Sequence, residues 1–344
     1  MERINAQALD AYFSGLMESG LSPCFSVRMM RGGTETYRFL GGRETPAPDS
    51  RPLTWETRLN IASSTKPVTA ALVLSLVERG MFALGDPVKR YIPEYPFDDV
   101  TIFQLMTHTA GYDEMLIIPW PKSMEEREAF YRKIYAVDKR KYAAGERAAY
   151  WTFGYAILAD ILMRTAGCEL ETLARDVLFA PLEMTHSTFE LSALSQTEYL
   201  LPWYARENRS FPEACVPVAT GDSGLYTTAD DLIRFAQMLL DDGVWQGKRV
   251  LSSMAAQLML RESTSGKFMR SPGLWIKGAG DPAGCFGDLN SPQAAAHTGM
   301  TGCMLLIDPP YRAAAVILTN SLRLHEDWRN YQRIVNALFA ASES

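Results

Sequence analysis

Residues 67–79, PVTAALVLSLVER, are apolar on almost every side and end at Gly80, which suits a helix C-terminus. A helix with one apolar face can lie on a surface; one apolar all round must sit inside a core. Surrounding it takes a chain of some size, and 344 residues, 47% of them hydrophobic, supply that without staples. At roughly 150 residues per domain the length allows about two domains, or one domain with an insertion.

The rest of the chain divides around that helix. Residues 25–30 and 37–40 are β-prone and are separated by Arg31-Gly32-Gly33-Thr34, a hairpin signal. The stretch from about 81 to 210 combines proline-marked turns with helical segments, such as 125–136 and 155–165, and has few strand signals. Residues 228–240 form an amphipathic helix with Thr228 as N-cap and Asp230 and Asp231 in its first turn. Strands resume at 302–308 and 313–319 around Pro309-Pro310-Tyr311-Arg312, and a helix from about 326 to 341 places Trp328, Tyr331, Ile334, Val335 and Leu338 on one face. The expectation is an α+β protein: one antiparallel sheet built from both termini (1–80 and 211–344) and flanked by helices, with a mainly helical region, 81–210, inserted.

Composition excludes several classes. Forty acidic against 34 basic side chains, net charge −6, give no basic face for nucleic acid. Cys24, Cys168, Cys215, Cys285 and Cys303 are scattered and odd in number, which reads as free thiols in a reducing compartment and not as a disulfide framework or zinc site. The first twenty residues carry Leu9, Tyr12, Phe13, Leu16 and Met17 at helical spacing among charges, so they read as an amphipathic helix and not a signal peptide. No apolar run approaches the roughly 20 residues that cross a bilayer. A cytoplasmic protein with no membrane span is expected.

Just before the apolar helix stands Ser63-Ser64-Thr65-Lys66. Pro67 is tolerated only in a first helical turn, which puts Ser63 at or just before the N-terminus. Residues three apart share a face, so the Lys66 amine can reach the Ser63 hydroxyl, where free N–H groups favour developing negative charge. A partly buried lysine is one way to activate a serine near neutral pH. The plainer alternative is an N-capping serine and a surface lysine. Tyr150-Trp151-Thr152 and His297-Thr298-Gly299 are further candidates: a phenol near an ammonium can shuttle a proton, and glycine lets a strand edge approach a substrate. Each alone says little.

Together, in this order, they resemble the motifs of the serine β-lactamase-like hydrolases: class C β-lactamases, DD-carboxypeptidases and esterases of the same fold. These use S-x-x-K, then Y-x-N, then K-T-G or H-T-G. LMTHTAGY at 105–112, GERAAYWTFGY at 145–155, DSGLYTTADDLIRFAQMLL at 222–240 and HTGMTGCMLLIDP at 297–309 are also similar to family segments, and the resemblance runs from about 25 to 340. It implies the β-lactamase/transpeptidase-like fold. It also implies Ser63 as acylated nucleophile, Lys66 and Tyr150 as the proton-transfer pair, and an oxyanion hole from the N–H groups of Ser63 and Met300. Thr152, His297, Thr298 and Gly299 would line the substrate side, with no metal or cofactor, and Trp151 between the motif residues reads either as a wall of the substrate pocket or as a core tryptophan.

The chain departs from the pattern twice. Thr152 replaces the asparagine whose amide helps orient the lysine and hold amide substrates; threonine offers one hydroxyl instead. His297 replaces a lysine and so removes a permanent cation. The expected activity is hydrolysis of a small ester, or less readily an amide or β-lactam, through acyl-Ser63. A β-lactamase or D-amino-acid peptidase is the alternative, followed by a non-catalytic ligand-binding relative; oligomeric state is open. Gly221-Asp222-Ser223-Gly224 mimics a chymotrypsin-like nucleophile motif, but the long helices around it contradict an all-β protease. It reads as a turn lining the site, without a His108/Ser223 triad. His108, His186 and His325 read as structural.

Overall fold

The computed structural model describes residues 5–112, 117–279 and 284–342. Helix α1 (Ala6–Glu18) leads into a hairpin of β1 (Cys24–Arg31) and β2 (Thr34–Gly42). Gly32 and Gly33 close it with φ of 58° and 81°, the left-handed pair whose twist matches the strands. A 3₁₀ turn, Ala62–Thr65, runs directly into α2 (Lys66–Val77), and every residue from Lys66 to Leu76 is buried. The apolar helix is thus enclosed, as its composition requires.

Helices α3 (Met124–Tyr135) and α4 (Phe153–Ala166) follow, then α5 (Ala229–Leu240), whose N-cap Thr228 accepts from Asp231 N at 3.2 Å. The chain finishes with β3 (Arg270–Ser271), β4 (Leu274–Ile276), β5 (Ala295–Thr298), β6 (Met304–Asp308), β7 (Ala313–Leu318) and α6 (Trp328–Ala341). The strands form one antiparallel sheet in the order β3-β4-β5-β6-β7-β1-β2. Its two halves join where β1 pairs with β7, from Ser26 opposite Leu318 to Arg31 opposite Ala313.

Period-two alternation sends side chains to both faces. Leu305, Ile307, Val316 and Leu318 pack with Leu72 of α2, Ile157 of α4 and Phe235 of α5. Met304, Leu306, Ala315 and Ile317 pack with Leu9 and Phe13 of α1 and Tyr331, Ile334 and Leu338 of α6. Helix, sheet and helix are therefore stacked as three layers.

Three details differ from expectation. The last helix starts at Trp328, capped by Asp327, and a 3₁₀ turn at Leu322–Glu326 precedes it. Strands β3 and β4 were not anticipated, because runs of two and three residues are too short to show a period. The region 81–210 also holds the short strands Tyr199–Leu200, Trp203–Tyr204 and Arg209–Ser210. Among the described residues no helix is long and apolar enough to cross a membrane.

Gly299, just past β5, ties the layers together at one point. A Cβ there would fall well inside contact distance of the Ile61 carbonyl, immediately before the 62–65 turn. Gly299→Ala is expected to push the two segments apart at a cost of about 1–3 kcal/mol. Gly85→Ala, where an added carbon meets nothing within 4 Å, is the control. Urea midpoints check this; equal midpoints for the two variants would contradict the close approach.

Candidate active site

The turn that carries Ser63 is held from both sides. Ala62 adopts φ of 46°, uncommon for a residue with a Cβ, and its N–H is taken by Asn60 Oδ1 at 2.8 Å. The Asn60 carbonyl accepts from Thr301 Oγ1 at 2.7 Å, which ties the turn to the loop after β5. Ser64 Oγ reaches the His297 carbonyl at 3.3 Å. Ser63, the next residue after Ala62, is left half-buried with its hydroxyl in the cluster described below.

Lys66 is fully buried, and its ammonium has three acceptors: Ser63 Oγ at 3.0 Å, Thr152 Oγ1 at 3.0 Å and the Asp222 carbonyl at 2.7 Å. Tyr150 OH donates to the same Ser63 Oγ at 2.8 Å. The Lys66 nitrogen also sits 5.1 Å from the Tyr150 ring centre and 5.7 Å from that of Tyr155. Serine, lysine and tyrosine therefore meet although 87 residues separate Ser63 from Tyr150.

Tyr150 owes its place to a neighbouring loop. The segment before α4 runs beside residues 108–111 through Ala149 N to His108 O at 2.9 Å, Gly145 N to Thr109 O at 2.8 Å and Tyr142 N to Gly111 O at 3.1 Å. The His108 ring then packs on the Tyr150 ring at 4.4 Å between centres. Burial, followed by the charge on Lys66, holds the His108 pKa well below the usual histidine value, so this wall is neutral.

At the end of β5, His297 is also buried and its pKa is pushed well down, first by burial and then by Lys66. Its Nδ1 lies 2.8 Å from the Thr298 carbonyl, which assigns the proton to Nδ1 and leaves Nε2 as an acceptor. Nε2 and the neighbouring Thr298 Oγ1 have no hydrogen-bond partner among the described residues. The Trp275 ring stacks on His297 at 4.6 Å. Arg270 lies over the outer ring of this wall, 5.6 Å from the centre of Trp275, with its own pKa pushed down to about 10 by burial.

Of the anticipated residues, Ser63, Lys66, Tyr150 and Thr152 come together, and His297, Thr298 and Gly299 stand at the adjacent strand end. The Met300 side chain is exposed on the following loop. Trp151 is a correction: it does not wall the site. It is 2% exposed and stacks on Tyr112 at 3.8 Å inside the core. Tyr150 and Trp151 are consecutive in an extended segment, so when one faces Ser63 its neighbour turns away. Trp120, Arg270 and Trp275 were not anticipated, since none belongs to a motif; Asp222 was seen only as part of a turn. Among the described residues no three His, Cys, Asp or Glu side chains group as metal ligands.

Residues 9–338 match the family profile described as Beta-lactamase. The chain belongs to the β-lactamase family of serine hydrolases, and the three-layer architecture is the β-lactamase/transpeptidase-like fold. Protein Rv1367c of Mycobacterium tuberculosis is 31% identical over 241 residues, which span 60% of this chain and 60% of that protein. The D-alanyl-D-alanine-carboxypeptidase/endopeptidase AmpH of Escherichia coli is 26% identical over 80% of this chain and 71% of its own length. Among solved structures, EstCE1, a hydrolase with promiscuous acyltransferase activity, superposes with a TM-score of 0.79 at 18% identity over 97% of both chains. Simvastatin synthase (LovD) of Aspergillus terreus gives 0.76 at 17% identity, over 96% of this chain and 98% of its own.

The neutral histidines have a consequence for stability. Unfolded, each titrates near 6.5; folded, each resists protonation, so the unfolded chain binds the extra protons. Their contribution is whole above that pH and is lost as pH falls through it, by up to about 1.4 kcal/mol per pH unit for each group. Urea midpoints at pH 7, 6 and 5 are expected to fall, and to fall less steeply in His297→Gln. An unchanged slope in the variant would contradict the burial of a neutral His297.

Proposed function

We propose that this protein hydrolyses a small carboxylic ester through an acyl-Ser63 intermediate. The observation that carries the reading is that one hydroxyl, Ser63 Oγ, lies within hydrogen-bond reach of both Lys66 Nζ, at 3.0 Å, and Tyr150 OH, at 2.8 Å. Ser63 Oγ attacks the carbonyl carbon as its proton passes to the Lys66/Tyr150 pair. The tetrahedral oxyanion forms against the backbone N–H groups of Ser63 and Met300, from the two segments that Gly299 allows to approach. The pair returns the proton to the leaving alkoxide as the C–O bond breaks. Water then attacks the acyl-enzyme by the same route in reverse, releasing acid and restoring the serine.

Two features favour an ester over an amide or β-lactam. Thr152 has one hydroxyl, and it already lies between Lys66 and Asp222, which leaves no donor for an acyl amide. Burial keeps His297 neutral, so the strand end offers Nε2 and Thr298 Oγ1 in place of a cation. The likeness to AmpH supports D-alanyl peptides as the second substrate class. The likeness to EstCE1, a hydrolase with promiscuous acyltransferase activity, adds an acyl acceptor other than water as a second outcome for the acyl-enzyme. The five free cysteines support a cytoplasmic location.

Turnover of p-nitrophenyl acetate and butyrate, nitrocefin and a D-alanyl-D-alanine peptide tests the reading. The esters are expected to give the highest kcat/KM, and Ser63→Ala to lose roughly 10³-fold or more. Equal ester rates for wild type and Ser63→Ala would overturn the nucleophile; a higher kcat/KM for nitrocefin or the peptide would favour the second class.

A further inference from the structure

We infer that Asp222 is a positioning residue for Lys66, acting through Thr152 to aim the lysine's one exchangeable proton site at Ser63. This rests on the reading of Lys66 as the partner of the Ser63 nucleophile.

Asp222 is fully buried on the turn before α5. Three donors converge on its Oδ2: Thr152 Oγ1 at 3.0 Å, Trp120 Nε1 at 3.0 Å and Ser223 Oγ at 3.3 Å. An indole N–H can only donate, so Oδ2 is an acceptor, while the buried Oδ1 has no hydrogen-bond partner among the described residues. Its backbone carbonyl meanwhile accepts from Lys66 at 2.7 Å.

The consequence follows from counting protons. A hydroxyl carries one hydrogen, and in Thr152 it is committed to Asp222. Only the oxygen lone pairs of Thr152 are left to face Lys66 Nζ, 3.0 Å away. The Asp222 carbonyl can likewise only accept. Two of the three hydrogen positions on the lysine nitrogen are therefore fixed as N–H donors whether the group is ammonium or amine. The third, toward Ser63 Oγ, is the only one that can be either an N–H or a lone pair. When Lys66 is neutral, its lone pair must point at the serine.

Without the carboxylate, the Thr152 hydroxyl is free to turn and donate its proton to that lone pair. Lys66 would then be stabilised as a neutral amine and blocked as a base. The asparagine of the family motif keeps its acceptor and donor on separate atoms and needs no such partner. Thr152 merges the two on one oxygen, and Asp222 supplies the missing direction. Ser223 Oγ and Trp120 Nε1 hold the carboxylate in place without touching Lys66.

The test is the rate at which a fluorophosphonate labels Ser63 as a function of pH, which needs no knowledge of the natural substrate. The other titratable groups facing Lys66 are Tyr150, Tyr155, His108 and His297, and none is altered by the variants used. Asp222→Ala is expected to lower the plateau rate at least tenfold while its acidic limb moves to lower pH. A folding defect would lower the plateau without moving the limb. In Asp222→Asn the Trp120 N–H selects the amide oxygen for the Oδ2 position, so most of the rate is retained. Thr152→Val is expected to slow labelling, and Asp222→Ala added to it to cost no more than about twofold further, because the Asp222 side chain acts only through Thr152 and its carbonyl is kept in both variants.

A labelled wild type with an unchanged pH profile in Asp222→Ala would overturn the role of Asp222. So would full additivity of Asp222→Ala and Thr152→Val. If the wild type is not labelled at Ser63 at all, the nucleophile reading fails, and this inference with it.

Discussion

A lysine taken wholly out of water needs an acceptor for each N–H it presents, and the architecture around Lys66 is arranged to meet that need. Its acceptors come from three distant stretches of chain: Ser63 in the turn before α2, Thr152 at the start of α4 and the Asp222 carbonyl before α5. Bringing those three together requires α2 to be surrounded, which only a helix apolar on all sides tolerates. The core and the reactive cluster thus depend on one another, since the same enclosure that buries Leu72 and Val73 buries the lysine.

Around that centre the charges are few and the polar groups are directed. His108 and His297 are both kept neutral by burial, so Lys66 and the outlying Arg270 are the cations that act on the site's rings. The Asp222 side chain reaches Lys66 only through Thr152, which lies between them. At the strand end, His297 Nε2 and the Thr298 hydroxyl, both without a hydrogen-bond partner among the described residues, present uncharged polar groups in place of a cation.

Much of this was readable from the residues, and the exceptions share a cause. The hairpin at Gly32-Gly33, the Thr228 cap and the buried 67–79 helix are local features with local signals, and they appear within a residue or two of expectation. Ser63, Lys66 and Tyr150 were legible because their motifs combine in a fixed order. Trp151 was misplaced because the face an aromatic presents depends on what packs behind it, here Tyr112. Trp275 and Arg270 lie on strands of two and three residues, too short to carry a pattern. Asp222 was visible only as part of a turn, since its importance comes from Thr152 and Trp120, 70 and 102 residues away.

The central claim is that acyl transfer passes through Ser63. Acid-quenched mass spectrometry of the protein during turnover of an activated ester tests it most directly. The account predicts a transient mass gain equal to one acyl group, located by peptide mapping on Ser63. Ester turnover with no adduct, or with the acyl group on another residue such as Ser223, would contradict it.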